Sequence, residues 1–157
     1  MVEPKRAHWA AAKHVLRYLR GIVELGWKYT HDNDVKLSGF TDAYCTGSSI
    51  DRKSTSGYYF NLGSGMTSWC SRKQKSLALS SAKAEYMAAS IASCEAIWLR
   101  KLLVNLLKEK MEVTKILCDN NSSIKISENP MFHDSSKHIE IRCHFIGDYV
   151  KCGAIQL

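Results

Sequence analysis

The sequence has little proline, no repetitive tract and no long uncharged apolar run. Only 2 of its 157 residues are proline, and the first six residues lack the apolar segment of a secretory signal. No uncharged apolar stretch approaches the roughly 20 residues that a membrane-spanning helix needs. These absences argue against a disordered chain and against a membrane span, and they favour an intracellular protein.

Closely spaced cysteine pairs are also absent. The six cysteines form no C-x-x-C pair, so a zinc ribbon and a thioredoxin-like motif are disfavoured. A metal site assembled from His133, His138, Cys143 and Cys152 would lack the spacing expected of zinc ligands. We therefore expect reduced, mostly buried thiols.

The composition that remains is that of one folded domain. Hydrophobic residues make up 45% of the chain and charged residues 24%, which is typical of a soluble globular protein. The net charge of +7 favours an acidic partner, either nucleic acid or an anionic membrane surface. Charge alone does not choose between the two.

Hydrophobic periodicity and turn residues predict an α/β fold in which helices pack on a mixed sheet. A first helix over residues 6–19 carries an apolar stripe that includes Trp9, Leu16 and Leu19, and Gly21 can end it. Extended segments at 27–30 and 35–42 suggest a hairpin, and two further strands at 57–62 and 66–70 flank a glycine turn.

The second half of the sequence alternates helices and strands. Ser80 or Ser81 can cap a long helix. Residues 114–118 then predict a strand, a short helix stops before Pro130, a further helix ends at Gly153, and residues 154–157 begin another strand. The long helix should face the sheet with an apolar stripe, which consists of Ala84, Met87, Ile91, Cys94, Trp98 and Leu102.

Three carboxylates stand where this order of elements would bring them together. Asp42 ends the first core strand, Asp119 ends the later one, and Glu85 lies one turn into the long helix. Carboxylates in close quarters repel one another and favour a divalent cation, and an oxygen-only site suits Mg²⁺ or Mn²⁺. The alternative is structural, because Asp42 and Asp119 could cap turns and Glu85 could be a solvated residue near a helix start.

The sequence resembles the ribonuclease H region of copia-type retrotransposon polyproteins over nearly its whole length. The matching motifs occur in order along the chain. They include Gly39-Phe40-Thr41-Asp42-Ala43, Asp51-Arg52-Lys53-Ser54-Thr55-Ser56-Gly57-Tyr58, Lys73-Gln74-Lys75, Ala84-Glu85-Tyr86-Met87-Ala88, Cys118-Asp119-Asn120 and Lys137-His138-Ile139.

The resemblance implies a ribonuclease H-like mixed sheet and hydrolysis of the RNA strand of RNA/DNA hybrids. Asp42, Glu85 and Asp119 match three of the family's four metal-binding carboxylates, and the fourth has no match in this sequence. By the same resemblance, residues 1–26 look like the tail of a reverse transcriptase region and residues 27–157 like a ribonuclease H-like domain that is incomplete at its C-terminus. A catalytically inactive transposon remnant that at most binds nucleic acid is therefore the alternative expectation.

A hybrid would be held mainly through its phosphates, which calls for basic side chains near the site. The candidates flank the predicted strands at 57–62 and 66–70, and Trp69 and Tyr58 could add stacking. The alternative is that the basic residues form a solvated rim and the aromatic residues belong to the core. The basic candidates are Arg52, Lys53, Arg72, Lys73 and Lys75.

Overall fold

The computed structural model of the protein describes residues 3–30, 35–45, 52–128 and 146–157. Its sheet has five strands in the order β3-β2-β1-β4-β5, which confirms the expected mixed sheet with helices. Residues 146–151 form an additional short helical stretch, and the rest of the predicted fourth helix lies outside the described residues. The elements are α1 Arg6–Gly21, β1 Leu37–Tyr44, β2 Thr55–Leu62, β3 Gly65–Lys73, α2 Ser81–Leu107, β4 Thr114–Leu117, α3 Asn121–Glu128 and β5 Ile155–Gln156.

Strand register sets which residues share an end of the sheet. The strands β1, β2 and β3 are antiparallel neighbours, whereas β4 runs parallel to β1 and β5 parallel to β4. Strand β4 ends where Leu117 lies opposite Phe40. Strand β1 therefore continues past the end of β4, and Asp42 and Asp119 both lie beyond this last pair, at the same end of the sheet.

A tight turn joins β2 to β3, as the glycines of the sequence indicate. Gly63 has a φ of 56°, in the left-handed region that glycine adopts without a steric penalty. The pairing of the two strands shifts between Phe60 and Asn61, so the hairpin carries a bulge. Strand β3 extends to Lys73, three residues beyond the sequence-based expectation.

Helix α2 begins after Ser80, whose hydroxyl accepts a hydrogen bond from the Lys83 N–H at 3.2 Å. The predicted apolar stripe is only partly right, because Ala84 and Met87 are buried whereas Cys94 and Trp98 are exposed. Small side chains let the helix approach the sheet closely, so they form most of the buried face. That face includes Ala84, Ala88, Ala89, Ser90, Ala92, Ser93, Ala96, Ile97 and Leu99.

The two faces of the sheet differ in what covers them. On the face under α2, Leu37, Phe60, Ile116 and Ile155 belong to the main hydrophobic cluster. On the opposite face, Phe40 and Tyr59 stack with ring centroids 4.6 Å apart. The β1 residues alternate accordingly between buried and more exposed positions.

Residues 27–30 do not form the hairpin partner that the sequence suggested. They lie instead beside the β2–β3 turn, where the Trp27 indole N–H donates to the Ser64 carbonyl at 3.0 Å and the Tyr29 hydroxyl to the Met66 carbonyl at 2.7 Å. Tyr29 also packs so closely on Gly65 that a β-carbon there would overlap its ring. The strand that pairs with β1 in this hairpin is β2, not residues 27–30.

Helix α1 forms where its stripe predicts, but it makes no contact with another helix or strand in the described part of the chain. Its apolar residues, among them Trp9 and Leu16, are exposed. Among the described residues, no helix is long and apolar enough to cross a membrane. The five described cysteines form no disulfide with one another, and they are partly or fully exposed rather than mostly buried as expected.

Candidate metal centre

Asp42 and Asp119 lie at the edge of the sheet where β1 runs past β4. Asp42 is within β1, opposite Gly57 of β2, and Asp119 follows β4 by two residues. Both side chains are exposed. Asn120, next in sequence, accepts the N–H groups of Ser122 and Ser123 at 3.0 Å each through its side-chain oxygen, so it caps the start of α3 and fixes the chain direction after Asp119.

Glu85 approaches these two residues from α2. The Ser80 cap fixes the first turn of the helix, and the Ala43 N–H of β1 donates to the Glu85 Oε1 at 3.1 Å. The side chain is only 7% exposed. Its other oxygen, Oε2, is buried and has no hydrogen-bond partner among the described residues.

The electrostatics of Glu85 follow from this placement. The pKa of its carboxyl is raised to about 7, mainly by burial, with the hydrogen bond from the Ala43 N–H opposing the shift. The Asp42 and Asp119 carboxylates and a side-chain hydrogen bond with Asp42 contribute to the increase. A buried carboxylate with a free oxygen and two acidic neighbours is costly to ionise. A divalent cation would offset that cost directly.

A compact group of potential metal ligands among the described residues differs from the set expected from the sequence. Ligand atoms of Glu85, Cys118 and Asp119 all lie within 4.8 Å of one another. Asp42 is not in that compact group, although it is near enough to act on the pKa of Glu85. Sequence reasoning missed Cys118 because a strand-end cysteine has no spacing pattern that marks it as a ligand.

Gln74 is a second residue whose role the sequence did not reveal. It is buried, and its side-chain Nε2 donates to the Ser56 hydroxyl at 2.8 Å and to the Ala84 carbonyl at 2.9 Å, while its backbone N–H donates to Ser54. These bonds join β2 and the end of β3 to the first turn of α2. Gln74 therefore positions the residue next to Glu85.

The basic candidates lie at the same end of the sheet as the carboxylates. Arg72 and Lys73 of β3 pair with Ser56 and Thr55 of β2, and Thr55 in turn pairs with Tyr44, two residues beyond Asp42. Arg52, Arg72, Lys73 and Lys75 are exposed, and Lys53 is half-buried.

The two aromatic candidates separate onto opposite faces of the sheet. Tyr58 packs against the main core under α2, where burial and the nearby Glu95 raise its pKa to about 12. Trp69 is 67% exposed and, with Phe40, Asp42 and Tyr59, lines a cavity of 470 Å³ on the sheet face opposite α2. Tyr58 is thus a core residue, and only Trp69 is available for stacking.

Comparison with solved structures defines the fold class. LC11-RNase H1, isolated from compost by a metagenomic approach, superposes with a TM-score of 0.52 over 77% of this chain and 81% of that chain, at 13% sequence identity. At this identity the likeness concerns the fold alone. The protein has a ribonuclease H fold.

No protein-family model matches the chain, whereas comparison with curated sequences finds relatives along most of its length. The retrovirus-related Pol polyprotein from transposon TNT 1-94 of Nicotiana tabacum is 40% identical over 94% of this chain, and the one from transposon RE2 of Arabidopsis thaliana is 38% identical over 98%. The chain has copia-type retrovirus-related Pol polyproteins as homologues over nearly its whole length. It spans 11% of the length of each of these two relatives.

A shorter relative matches the same kind of sequence. Secreted RxLR effector protein 161 of Plasmopara viticola is 47% identical over 97 residues, which are 62% of this chain and 68% of that protein. Its similarity shows that stretches of this sequence type also occur in a protein much shorter than a Pol polyprotein.

Proposed function

We propose that the chain is a metal-dependent nuclease domain that hydrolyses the RNA strand of RNA/DNA hybrids. The observation that carries the proposal is the buried Glu85 Oε2, which has no hydrogen-bond partner among the described residues and lies beside two further carboxylates. A carboxylate arranged this way is unfavourable in a purely structural role. The ribonuclease H fold and the Pol relatives point to the same class of reaction.

The donor set fits Mg²⁺ or Mn²⁺ held by Asp42, Glu85 and Asp119, because hard divalent cations prefer carboxylate oxygens. When bound, the cation supplies Lewis-acid stabilisation of the charge that develops on phosphate oxygens. The contribution of the chain is orientation. The Ala43 N–H fixes one oxygen of Glu85 and leaves the other available, and the parallel pairing of β1 with β4 sets the spacing of the two aspartates.

Nucleic acid is the partner that this proposal requires. The basic residues Arg52, Lys53, Arg72, Lys73 and Lys75 would contact phosphates, since they lie at the carboxylate end of the sheet. Trp69, exposed on the sheet face opposite α2, would stack on a base or pack against a sugar. A net charge of +7 favours such a partner. An intracellular location is part of this proposal.

The domain division is likewise proposed. Helix α1 makes no contact with the sheet or the other helices in the described part of the chain. This separation supports the assignment of residues 1–26 to the tail of a reverse transcriptase region and of residues 27–157 to the ribonuclease H-like unit. Protease digestion that releases an intact, folded fragment beginning near residue 27 is the expected result.

The test of function is cleavage of an end-labelled RNA/DNA hybrid in Mg²⁺ or Mn²⁺. Replacing a residue that only supports a metal ligand typically costs 10- to 100-fold in activity or metal affinity, so Asp119→Asn should lower the rate by about 100-fold or more. Asp148→Asn is the matched control, because Asp148 is exposed on the helical stretch 146–151. Equal rates for Asp119→Asn and the unaltered chain would refute the proposed site.

The same assay separates the alternative function, an inactive remnant that at most binds nucleic acid. A folded chain that binds the hybrid and leaves it uncut in both metals, at every protein concentration, would establish that alternative.

A further inference from the structure

Cys118 lies at the carboxylate cluster on the side of α2. In β4 the buried residues alternate with exposed ones, so Ile116 points towards the core and Leu117 away from it. Cys118 follows this alternation and is half-buried on the same side as Ile116. Its sulfur and the carboxylate oxygens of Glu85 and Asp119 all lie within 4.8 Å of one another.

The position of the thiol is set by Ser123 of α3. The Cys118 Sγ lies 3.2 Å from the Ser123 Oγ, and the Ser123 hydroxyl donates to the Asn120 carbonyl at 2.7 Å. Because that hydroxyl has one hydrogen, the thiol is the donor in the first contact.

Glu85 provides an independent sign that this cluster receives a ligand. The residue is more than nine-tenths buried, and its Oε2 has no hydrogen-bond partner among the described residues. A thiol beside two carboxylates gives one sulfur and two oxygen donors. Three protein ligands with an open fourth position are the arrangement that zinc adopts at non-structural sites, and thiolate favours zinc or cadmium over magnesium.

We propose that Glu85, Cys118 and Asp119 form a site for a thiophilic divalent cation, such as Zn²⁺ or Cd²⁺, which competes with Mg²⁺ or Mn²⁺ for the same two carboxylates. The inference rests on the proposed function only in that both use Glu85 and Asp119. The thiol proton passes to solvent when the cation binds. Tetrahedral zinc bonds of ordinary length place sulfur and oxygen ligands about 3.5 Å apart. The sulfur-to-oxygen distances, all within 4.8 Å, need to close by at most about 1.3 Å.

The test uses the full chain, kept reduced with a phosphine that does not bind these metals, and titrates it with Co²⁺. We expect a near-ultraviolet thiolate-to-cobalt charge-transfer band in the unaltered protein and in Cys94→Ser, whose cysteine is exposed on α2 away from the cluster. The band should vanish in Cys118→Ser and weaken in Asp119→Asn, with circular dichroism used to compare the folds. A band that persists in Cys118→Ser, or no band in the unaltered protein, overturns the proposal.

Competition gives a second readout, which keeps this proposal separate from the nuclease proposal. Zn²⁺ should displace Mn²⁺ from the unaltered protein, and the ratio of Zn²⁺ to Mn²⁺ affinity should fall at least about 100-fold in Cys118→Ser, in line with loss of a metal ligand. An unchanged ratio overturns the thiophilic site whatever the cleavage assay shows. A chain that shows the cobalt band but leaves hybrids uncut supports this site and overturns the nuclease.

Discussion

Two polar side chains of α2 lie near opposite ends of β4, and they differ in their hydrogen-bond partners. At the start of the strand, the Arg100 guanidinium donates to the Met111 and Glu112 carbonyls and to the Thr114 hydroxyl. Past the end of the strand, the Glu85 carboxyl receives one backbone hydrogen bond and faces two other acids. Arg100 therefore makes charge-assisted hydrogen bonds to three acceptors. One oxygen of Glu85 has no hydrogen-bond partner among the described residues.

This difference separates a structural group from a candidate functional one. Arg100 fastens the loop between α2 and β4, which is what a partly buried cation with three acceptors is expected to do. Glu85 keeps a buried oxygen without a partner, and its neighbours make its ionisation harder, so its position lowers the stability of the metal-free protein. A bound divalent cation would offset that cost.

The largest effect on folding is expected at the Arg100 end. Arg100→Met keeps most of the packing volume but removes every donor, which leaves the Thr114 hydroxyl and two carbonyls without this partner. The free energy of unfolding should fall by about 2–4 kcal/mol. Urea melts measure it, with Lys101→Met as a control, because Lys101 is exposed and should change stability by less than about 0.5 kcal/mol. Equal effects of the two substitutions would contradict the structural role.

At the Glu85 end, substitution is expected to raise the free energy of unfolding instead of lowering it. Between about pH 4.5 and 7 the unfolded chain has lost the Glu85 proton while the folded chain keeps it, so the free energy of unfolding falls as pH rises through that window. Glu85→Gln removes this loss and should stabilise the metal-free protein at pH 8 by about 1–3 kcal/mol.

Melts of the metal-free protein at pH 5 and pH 8 measure this effect. The control is Glu109→Gln, since Glu109 is exposed beyond the other end of α2. Destabilisation of Glu85→Gln at pH 8, with the control unaffected, would show that the carboxylate is ionised and favourably bound in the folded state.

Much of this comparison could be anticipated from the sequence. The ends of two strands and the start of a capped helix are visible as patterns, and they led to Asp42, Glu85 and Asp119. The position of Cys118 could not be read in the same way, because which face a residue takes just past a four-residue strand depends on where the pairing stops. The burial of Glu85 depends equally on tertiary packing.

The buried face of α2 shows a second limit. Sequence periodicity favoured large residues such as Trp98 and Leu102, whereas the packed face is built mainly from alanine and serine. Small residues carry little hydrophobic signal, yet they allow the helix axis to come close to the sheet. The prediction of a strand at residues 27–30 is wrong for a related reason. The Trp27 and Tyr29 side chains donate hydrogen bonds to backbone carbonyls at the β2–β3 turn, and the segment does not pair with a described strand.

The smallest effect is expected from the surface charges at the carboxylate end. Arg72→Ala should weaken binding of an RNA/DNA hybrid by a few-fold. It should also reduce the slope of the logarithm of the association constant against the logarithm of salt concentration by about one, as expected for one lost phosphate contact. Lys110→Ala is the control, because Lys110 follows α2 near the Arg100 end of β4. Fluorescence anisotropy over a range of salt concentrations measures both. If the two variants lose affinity equally, hybrid binding is not localised to the carboxylate end.

The most direct test of the central claim is equilibrium binding of Mn²⁺ to the nucleic-acid-free protein, measured from the electron paramagnetic resonance signal of the free ion. The chain should bind Mn²⁺, and Glu85→Gln and Asp119→Asn should each weaken binding by at least about tenfold, whereas Glu109→Gln should leave it unchanged. Binding of equal strength in the unaltered chain, in Glu85→Gln and in Asp119→Asn would contradict the claim that this carboxylate cluster is a metal centre.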